Sequence, residues 1–157
     1  MRIGHGYDLH RLEAGRPLVL GGIRIDHDYG PLAHSDGDVA LHALCDALLG
    51  AAALGDIGQI FPDTDPAHAG ADSRELLREV RDRVAAAGYA PHNIDITIIA
   101  ERPKLAPHIP AMRETLSGLL ALPLSAVSIK AKTSEGVGPI GFHQAIAAHA
   151  ICLISER

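Results

Sequence analysis

Three segments in the second half of the chain carry apolar residues at successive positions. They are ITIIA at 96–100, AVSI at 126–129 and AIAAHAICLI at 145–154. A strand with one wet face alternates apolar and polar residues, because successive side chains point to opposite sides. Near-continuous apolar strands belong to sheets covered on both faces. Such a chain must therefore bring a layer to each side of its sheet. Aromatic residues make up only 3% and tryptophan is absent, so the core is built from Ala, Leu, Ile and Val. Three helical patterns are present, enough for one face, and self-association is expected to cover the other.

The remaining pattern fixes the order of elements. A strand is expected at 2–10, seeded by Ile3, and a second at 17–25 (PLVLGGIRI), bent at Gly21-Gly22. A polar, turn-rich stretch follows. The first helix then starts behind a cap at Ser35 or Asp36, with Val39, Leu41, Leu44, Leu48 and Leu49 as its apolar surface and Gly55 as its stop. Residues 55–66 read as a loop. A second helix at 72–87 has Asp72 or Ser73 near its cap, Leu76, Leu77, Val80 and Val84 on one face, and Gly88 at its end. Strands at 93–100, 126–132 and 143–154 enclose a third helix at 107–121. These elements predict one α+β domain spanning 1–157, a mixed sheet of four to five strands with helices packed on one face.

Charge and composition exclude several classes. The 157 residues suit one domain, at roughly 100–200 residues each. The net charge is −5, and no Lys/Arg run is longer than a pair, which argues against nucleic acid as a partner. Cys45 and Cys152 make neither a disulfide framework nor a cysteine zinc site. The opening MRIGHGYDLH lacks the apolar run of a signal peptide, and no segment approaches the ~18–20 apolar residues of a membrane span. A cytoplasmic protein without a membrane partner is expected.

Ten histidines in an acidic chain raise the question of metal or phosphate chemistry. Asp8 and His10 lie two apart on a strand, so they share a side, and His5 has the opposite parity. Asp38, His42 and Asp46 lie four apart on a helix, one above another. Alone, that helix pattern reads as a solvated polar stripe. Combined with Asp8 and His10, His42 completes a set of one carboxylate and two imidazoles, the composition of a catalytic zinc site with an open position. Asp46 is then expected to orient His42, and Asp38 another ligand. Cys45 falls off that face and reads as core. His34 and Ser35 precede a helix N-terminus, as a phosphate site or a plain cap. The loop GDIGQIFPDTD offers Asp56, Asp63 and Asp65 to hydroxyls, to a divalent cation, or only to solvent; it is not an EF-hand. After the strand at 126–132, Lys132, Thr133, Ser134 and Glu135 suit a phosphate with Mg²⁺. The Walker A, HExxH and zinc-deaminase patterns are absent.

Taken together, these segments resemble the 2-C-methyl-D-erythritol 2,4-cyclodiphosphate synthase family of non-mevalonate isoprenoid biosynthesis. The resemblance runs through MRIGHGYDLH, LAHSDGDVALHALCDALLGAAALGDIG, FPDTDP, GADSRELL, NIDITIIAERPKLAPHI and IKAKTSEG, from residue 1 to about 136. It implies a lyase that converts 4-diphosphocytidyl-2-C-methyl-D-erythritol 2-phosphate into the cyclic diphosphate with release of CMP. It implies Asp8, His10 and His42 as ligands of one Zn²⁺ per active site, and Glu135 as ligand of a second ion, Mg²⁺ or Mn²⁺. His34 and Thr133 match transition-state stabilisers. Ser35, Asp56, Ile57 and Gly58, with Phe61, Pro62, Asp63, Thr64 and Asp65, match the methylerythritol phosphate pocket. The cytidine pocket is matched by Ala100, Glu101, Arg102, Pro103, Lys104, Leu105 and Ala106, while Lys132 and Ser134 stand beside the phosphates. The family forms homotrimers with active sites between subunits, which would bury the second sheet face. One stretch departs from it. At 141–145 the chain reads GFHQA, so Phe142 and Gln144 replace the family's arginine and glutamate, and weak or no binding of an isoprenoid diphosphate in the trimer's central cavity is expected. The competing reading is a zinc-dependent phosphohydrolase of a nucleotide-linked substrate; a structural zinc site is disfavoured because such sites close four ligands, often Cys.

Overall fold

The computed structural model describes residues 1–62, 64–66 and 69–157. Its strands are β1 (Arg2–Ala14), β2 (Leu18–Leu20), β3 (Ile23–Ile25), β4 (Tyr29–Pro31), β5 (Tyr89–Ile99), β6 (Val127–Lys132) and β7 (Ala145–Glu156). The helices are α1 (Val39–Ala51), α2 (Ile57–Ile60), α3 (Ser73–Ala86), α4 (Ile109–Leu120) and α5 (Gly138–Gly141). Five strands form a mixed sheet in the order β4-β1-β7-β5-β6, in which only β5 and β6 run parallel. The α+β class and the five-stranded mixed sheet agree with the sequence reading.

Several elements differ from it. The 17–25 segment is not one bent strand but a separate hairpin, β2 with β3, reversing at Gly21 and Gly22 with φ of 61° and 77°. Two adjacent positive-φ residues make a tight reversal that glycine accommodates without steric cost. Strand β4 lies inside the stretch read as turns, and the one-turn helices α2 and α5 lie in segments read as loops. Short elements of this kind carry too few residues to show a period. The cap of α1 is neither Ser35 nor Asp36. Asp38 takes that place, its carboxylate accepting from Ala40 N and Leu41 N.

Helices α1, α3 and α4 cover one face of the sheet. Ile94, Ile96 and Ile98 of β5 are 1%, 0% and 0% exposed beneath them, whereas Asn93, Asp95 and Thr97 alternate on the other side. The expectation that these strands are dry on both faces is therefore corrected for β5, whose polar residues sit at every second position. On β1 and β7 the same open face does carry apolar groups. Ile3 is 69% exposed, Tyr7 48%, Leu9 44% and Ile151 44%. This face also holds His5, whose Nε2 lies 3.1 Å from His149 Nδ1.

The approach of α1 to β1 is closer than side chains permit. A Cβ on Gly4 would stand 1.8 Å from the Ala47 carbonyl oxygen, and one on Gly6 would stand 1.9 Å from that of Ala43. Two strand residues advance about 6.7 Å and four helix residues about 6 Å. The two glycines therefore stay in step with one face of the helix. Gly6→Ala is expected to destabilise the protein by more than about 3 kcal/mol, because backbone rather than a flexible side chain blocks the new methyl. Urea unfolding checks this; a midpoint unchanged from wild type would refute the packing argument.

Candidate metal centre and active site

Strand β1 continues past Gly6 to Asp8 and His10 with the same parity, and α1 runs back over them to His42. The closeness set by the glycines brings three donor atoms together. Asp8 Oδ2 lies 2.9 Å from His42 Nδ1 and 3.0 Å from His10 Nε2, and the two nitrogens are 3.3 Å apart. A tetrahedral ion with bonds of about 2.0 Å holds its donors about 3.3 Å apart. The triangle therefore fits such an ion, and its one-carboxylate, two-imidazole composition fits zinc. Among the described residues, Asp8, His10 and His42 are the only group of three or more such side chains close enough to hold a metal.

The electrostatics follow from that crowding. Burial works to raise the Asp8 carboxyl, yet hydrogen bonds from His10 and His42 and the attraction of both imidazoles outweigh it and hold it well below the carboxylate range. Burial works to lower His42, but Asp8, with Asp38 and Asp36 further off, raises it. Burial pushes the Cys45 thiol far up, which leaves it an inert core group, as its position on the helix suggests.

The two histidines of the triad border a cavity of about 370 Å³, lined by His10, Leu32, Ala33, His34, Ser35, His42, Ile57, Gly58, Phe61 and Leu76. This brings together two of the expected metal ligands, the expected stabiliser His34, and Ser35, Ile57, Gly58 and Phe61 of the expected methylerythritol phosphate pocket. His34 Nε2 donates to the Asp65 carbonyl at 3.3 Å, closing one wall. Asp56 caps α2 instead of facing the cavity as a free carboxylate, accepting from Gln59 N at 2.9 Å and from Gln59 Nε2 at 2.7 Å. Pro62, Thr64 and Asp65 lie exposed on the same loop, and Asp63 lies outside the described residues.

Both helper carboxylates expected from the helix spacing are corrected. Asp38 is 0% exposed and orients no ligand. It accepts from Gly22 N at 2.7 Å, Gly21 N at 3.0 Å, and Ala40 N and Leu41 N at 3.1 Å, tying the β2–β3 reversal to the start of α1. Burial pushes its carboxyl up to about 6, against the pull of those N–H groups. Asp46 accepts from Ile57 N at 2.7 Å and so anchors α2, not His42. His42 Nε2 instead lies 2.9 Å from Ser73 Oγ and 3.2 Å from Ser35 Oγ. Ser73 in turn donates to Asp36 at 2.5 Å. Asp36 and Ser73 escaped the sequence reading, which saw in each only a helix cap; they are 37 residues apart and no local spacing links them.

The second group of expected residues lies at the same end of the sheet, on other strands. Ala100 N donates to Lys132 O at 2.9 Å, and Ser134 N donates to Glu101 Oε2 at 3.2 Å, so the 100–106 and 132–135 loops are one unit. Ala100 and Leu105 are 6% and 4% exposed, so their side chains serve the core. Arg102–Pro103 is a cis peptide. Thr133 and Glu135 are exposed. Lys132 pairs with Ile99 on the open sheet face, opposite to the triad. In the sheet order, β5 stands two strands from β1, about 10 Å away, and β6 three. Phe142 lies elsewhere, 68% exposed, beside a cavity of about 660 Å³ lined by Arg11, Leu12, Tyr29, His143 and Gln144.

This chain, an α+β domain that draws two histidines and an aspartate together, matches the YgbB family over residues 1–155. The chain belongs to that family, the 2-C-methyl-D-erythritol 2,4-cyclodiphosphate synthases. Its similarity to the Salinibacter ruber synthase of that name is 58% identity over 156 residues, 99% of each chain. To the Chromobacterium violaceum synthase it is 59% over 155 residues, 99% of this chain and 98% of the other. A solved structure of the synthase superposes with a TM-score of 0.91 at 49% identity, over 98% of this chain and all of that one. A CDP-bound synthase structure superposes with a TM-score of 0.91 at 47% identity and the same coverage. Among the described residues no helix is long and apolar enough to cross a membrane.

In the metal-free protein, Asp8 and His42 make stability depend on pH. Asp8 is lowered, so its contribution is present above its ordinary 3.8 and is lost as pH falls through the lowered value. His42 is raised, so its contribution is full below its ordinary 6.5 and is lost as pH rises through the raised value. Stability from this pair is therefore greatest between about 4 and 6.5, and His42→Ala flattens that maximum. Urea midpoints at several pH values check it; an unchanged profile in the variant would overturn the assignment.

Proposed function

We propose that the protein closes 4-diphosphocytidyl-2-C-methyl-D-erythritol 2-phosphate into 2-C-methyl-D-erythritol 2,4-cyclodiphosphate and releases CMP. The observation that carries this reading is the Asp8–His10–His42 triangle opening on a cavity lined by His34 and Ser35. In the reaction, an oxygen of the 2-phosphate bonds to the β-phosphorus. The bond from that phosphorus to the oxygen it shares with the α-phosphorus breaks, and CMP leaves with that oxygen. No water enters. Charge on the diphosphate is neutralised by Zn²⁺ on Asp8, His10 and His42 and by Mg²⁺ or Mn²⁺ on Glu135 when these ions are bound. The chain supplies position. His34 and Thr133 donate to phosphate oxygens as charge moves between them, with Ser35, Lys132 and Ser134 as further donors. Ile57, Gly58 and Phe61 shape the wall for the methylerythritol unit, and Asp56, Pro62, Thr64 and Asp65 rim it. The 100–106 loop reads the cytosine through backbone groups, which agrees with the buried side chains of Ala100 and Leu105.

The same reading makes the enzyme a homotrimer with each active site shared between neighbours. The exposed apolar row of Ile3, Tyr7, Leu9 and Ile151 supports burial of the open sheet face in such an assembly, as does the placement of the triad and Lys132 on opposite faces. Sedimentation at micromolar concentration is expected to give a trimer; a stable monomer would overturn this part. Phe142 is expected to leave isoprenoid diphosphates weakly bound or unbound, and micromolar binding in calorimetry would refute that. Phosphorus NMR after incubation with the cytidyl substrate and Mg²⁺ decides the reaction. The cyclic diphosphate and CMP are expected, and His42→Ala is expected to stop turnover while remaining folded. An open-chain diphosphate beside CMP would instead mean a phosphohydrolase.

A further inference from the structure

The two nitrogens of His42 face different surroundings. Nδ1 meets Asp8 and His10, while Nε2 meets the seam between residues 34–38 and the start of α3. A ligating imidazole needs its lone pair on the metal side and its proton on the other nitrogen, and the partner of that second nitrogen sets the choice. A serine hydroxyl alone cannot set it, because it both donates and accepts. Asp36 removes the ambiguity. Its carboxylate only accepts: Oδ1 takes the Ser73 hydroxyl at 2.5 Å and Asp38 N at 3.1 Å, and Oδ2 takes Ser73 N at 2.9 Å. Once the Ser73 proton is given to Asp36, Ser73 Oγ can only accept from His42 Nε2. Ser73 is 0% exposed, so water does not compete for these bonds. The seam is stitched further by Asp36 N donating to Ala71 O at 3.1 Å and Gly70 N donating to His34 O at 2.8 Å.

The same accounting reaches Ser35. Its Oγ already accepts from Gly37 N at 3.2 Å and borders the cavity. Because the Nε2 proton goes to the nearer Ser73, the Ser35 hydroxyl keeps its own proton to give.

We infer that Asp36 and Ser73 are positioning residues: they hold His42 with a free Nδ1 lone pair toward the metal and leave the Ser35 hydroxyl free to donate to a phosphate oxygen in the cavity. This rests on the reading of Asp8, His10 and His42 as a metal centre. Neither residue lines the cavity or belongs to the Asp8–His10–His42 group.

The test is zinc affinity of the full-length protein, stripped with a chelator and titrated against a chromogenic competitor. Ser73→Ala is expected to weaken zinc by about 10–100-fold, the usual effect of removing an outer partner of a ligand. Asp36→Asn is expected to weaken it at least as much, because an amide NH₂ facing Ser73 reverses the hydrogen bond and favours the proton on Nδ1. Asp72→Ala is the control. It removes the cap that accepts from Arg74 N and loosens the same helix end without touching the relay, so zinc affinity should stay at the wild-type value. In nitrogen-15 spectra of the zinc-loaded protein, the His42 Nε2 proton should exchange slowly in wild type and rapidly in Ser73→Ala. If wild type takes up no zinc, the metal-centre reading fails. If wild type binds zinc and Ser73→Ala binds it within twofold with the proton still protected, the relay is refuted. A loss in Asp72→Ala equal to that in Ser73→Ala would refute it too.

Discussion

The meeting of Asp8, His10 and His42 depends on how closely α1 lies on β1. Two glycines at every second strand position allow the helix backbone to touch the strand, with the Ala43 and Ala47 carbonyls where Cβ atoms would otherwise stand. The helix is apolar nearly all round because it is enclosed between the sheet and α3. A buried helix held at backbone contact has little freedom to slide or rotate. His42 is consequently delivered to within 2.9 Å of Asp8 by packing, without needing to search for it. The Asp8–His10–His42 triangle is a consequence of a steric constraint two residues upstream.

Around that contact, each carboxylate has its own partners. Asp8 faces two imidazoles, Asp38 joins a turn to a helix start, Asp46 and Asp56 hold α2, and Asp36 holds Ser73. Each has donors to satisfy it, and the fully buried Asp38 has four N–H groups, as buried charge requires. An acidic chain can therefore leave little unpaired negative charge around its cleft. Most of the nearby negative charge is already engaged by N–H groups, and the remaining Asp8 is matched by two imidazoles.

The sequence made the larger elements legible because their signals are local. Helices α1, α3 and α4 announce themselves by apolar period, and α3 by Asp72 at its start. Asp8 and His10 were legible as a pair because strand parity is a short-range rule. Asp38 and Asp46 were misread for the same reason that made them conspicuous. Spacing of four places side chains on one helical face, but it does not say which neighbour that face meets. At Asp38 the neighbour is a glycine hairpin, and at Asp46 it is the start of α2. The hairpin itself was read as a single strand because two glycines signal a bend without its angle.

By itself, then, the sequence determined the α+β class, the main elements and the three side chains that meet as a candidate metal site, since these follow from periodicity and side-chain chemistry. It also carried the family resemblance. The tertiary structure decided which polar groups meet. It turned His42 Nδ1 toward Asp8 and Nε2 toward Ser73, linked Asp36 to a serine 37 residues away, and separated the 100–106 and 132–135 loops from the triad by whole strands. The physical reason is that a hydrogen bond depends on distances of tenths of an ångström between residues far apart in the chain. Those distances are fixed only when the helix settles on its glycines.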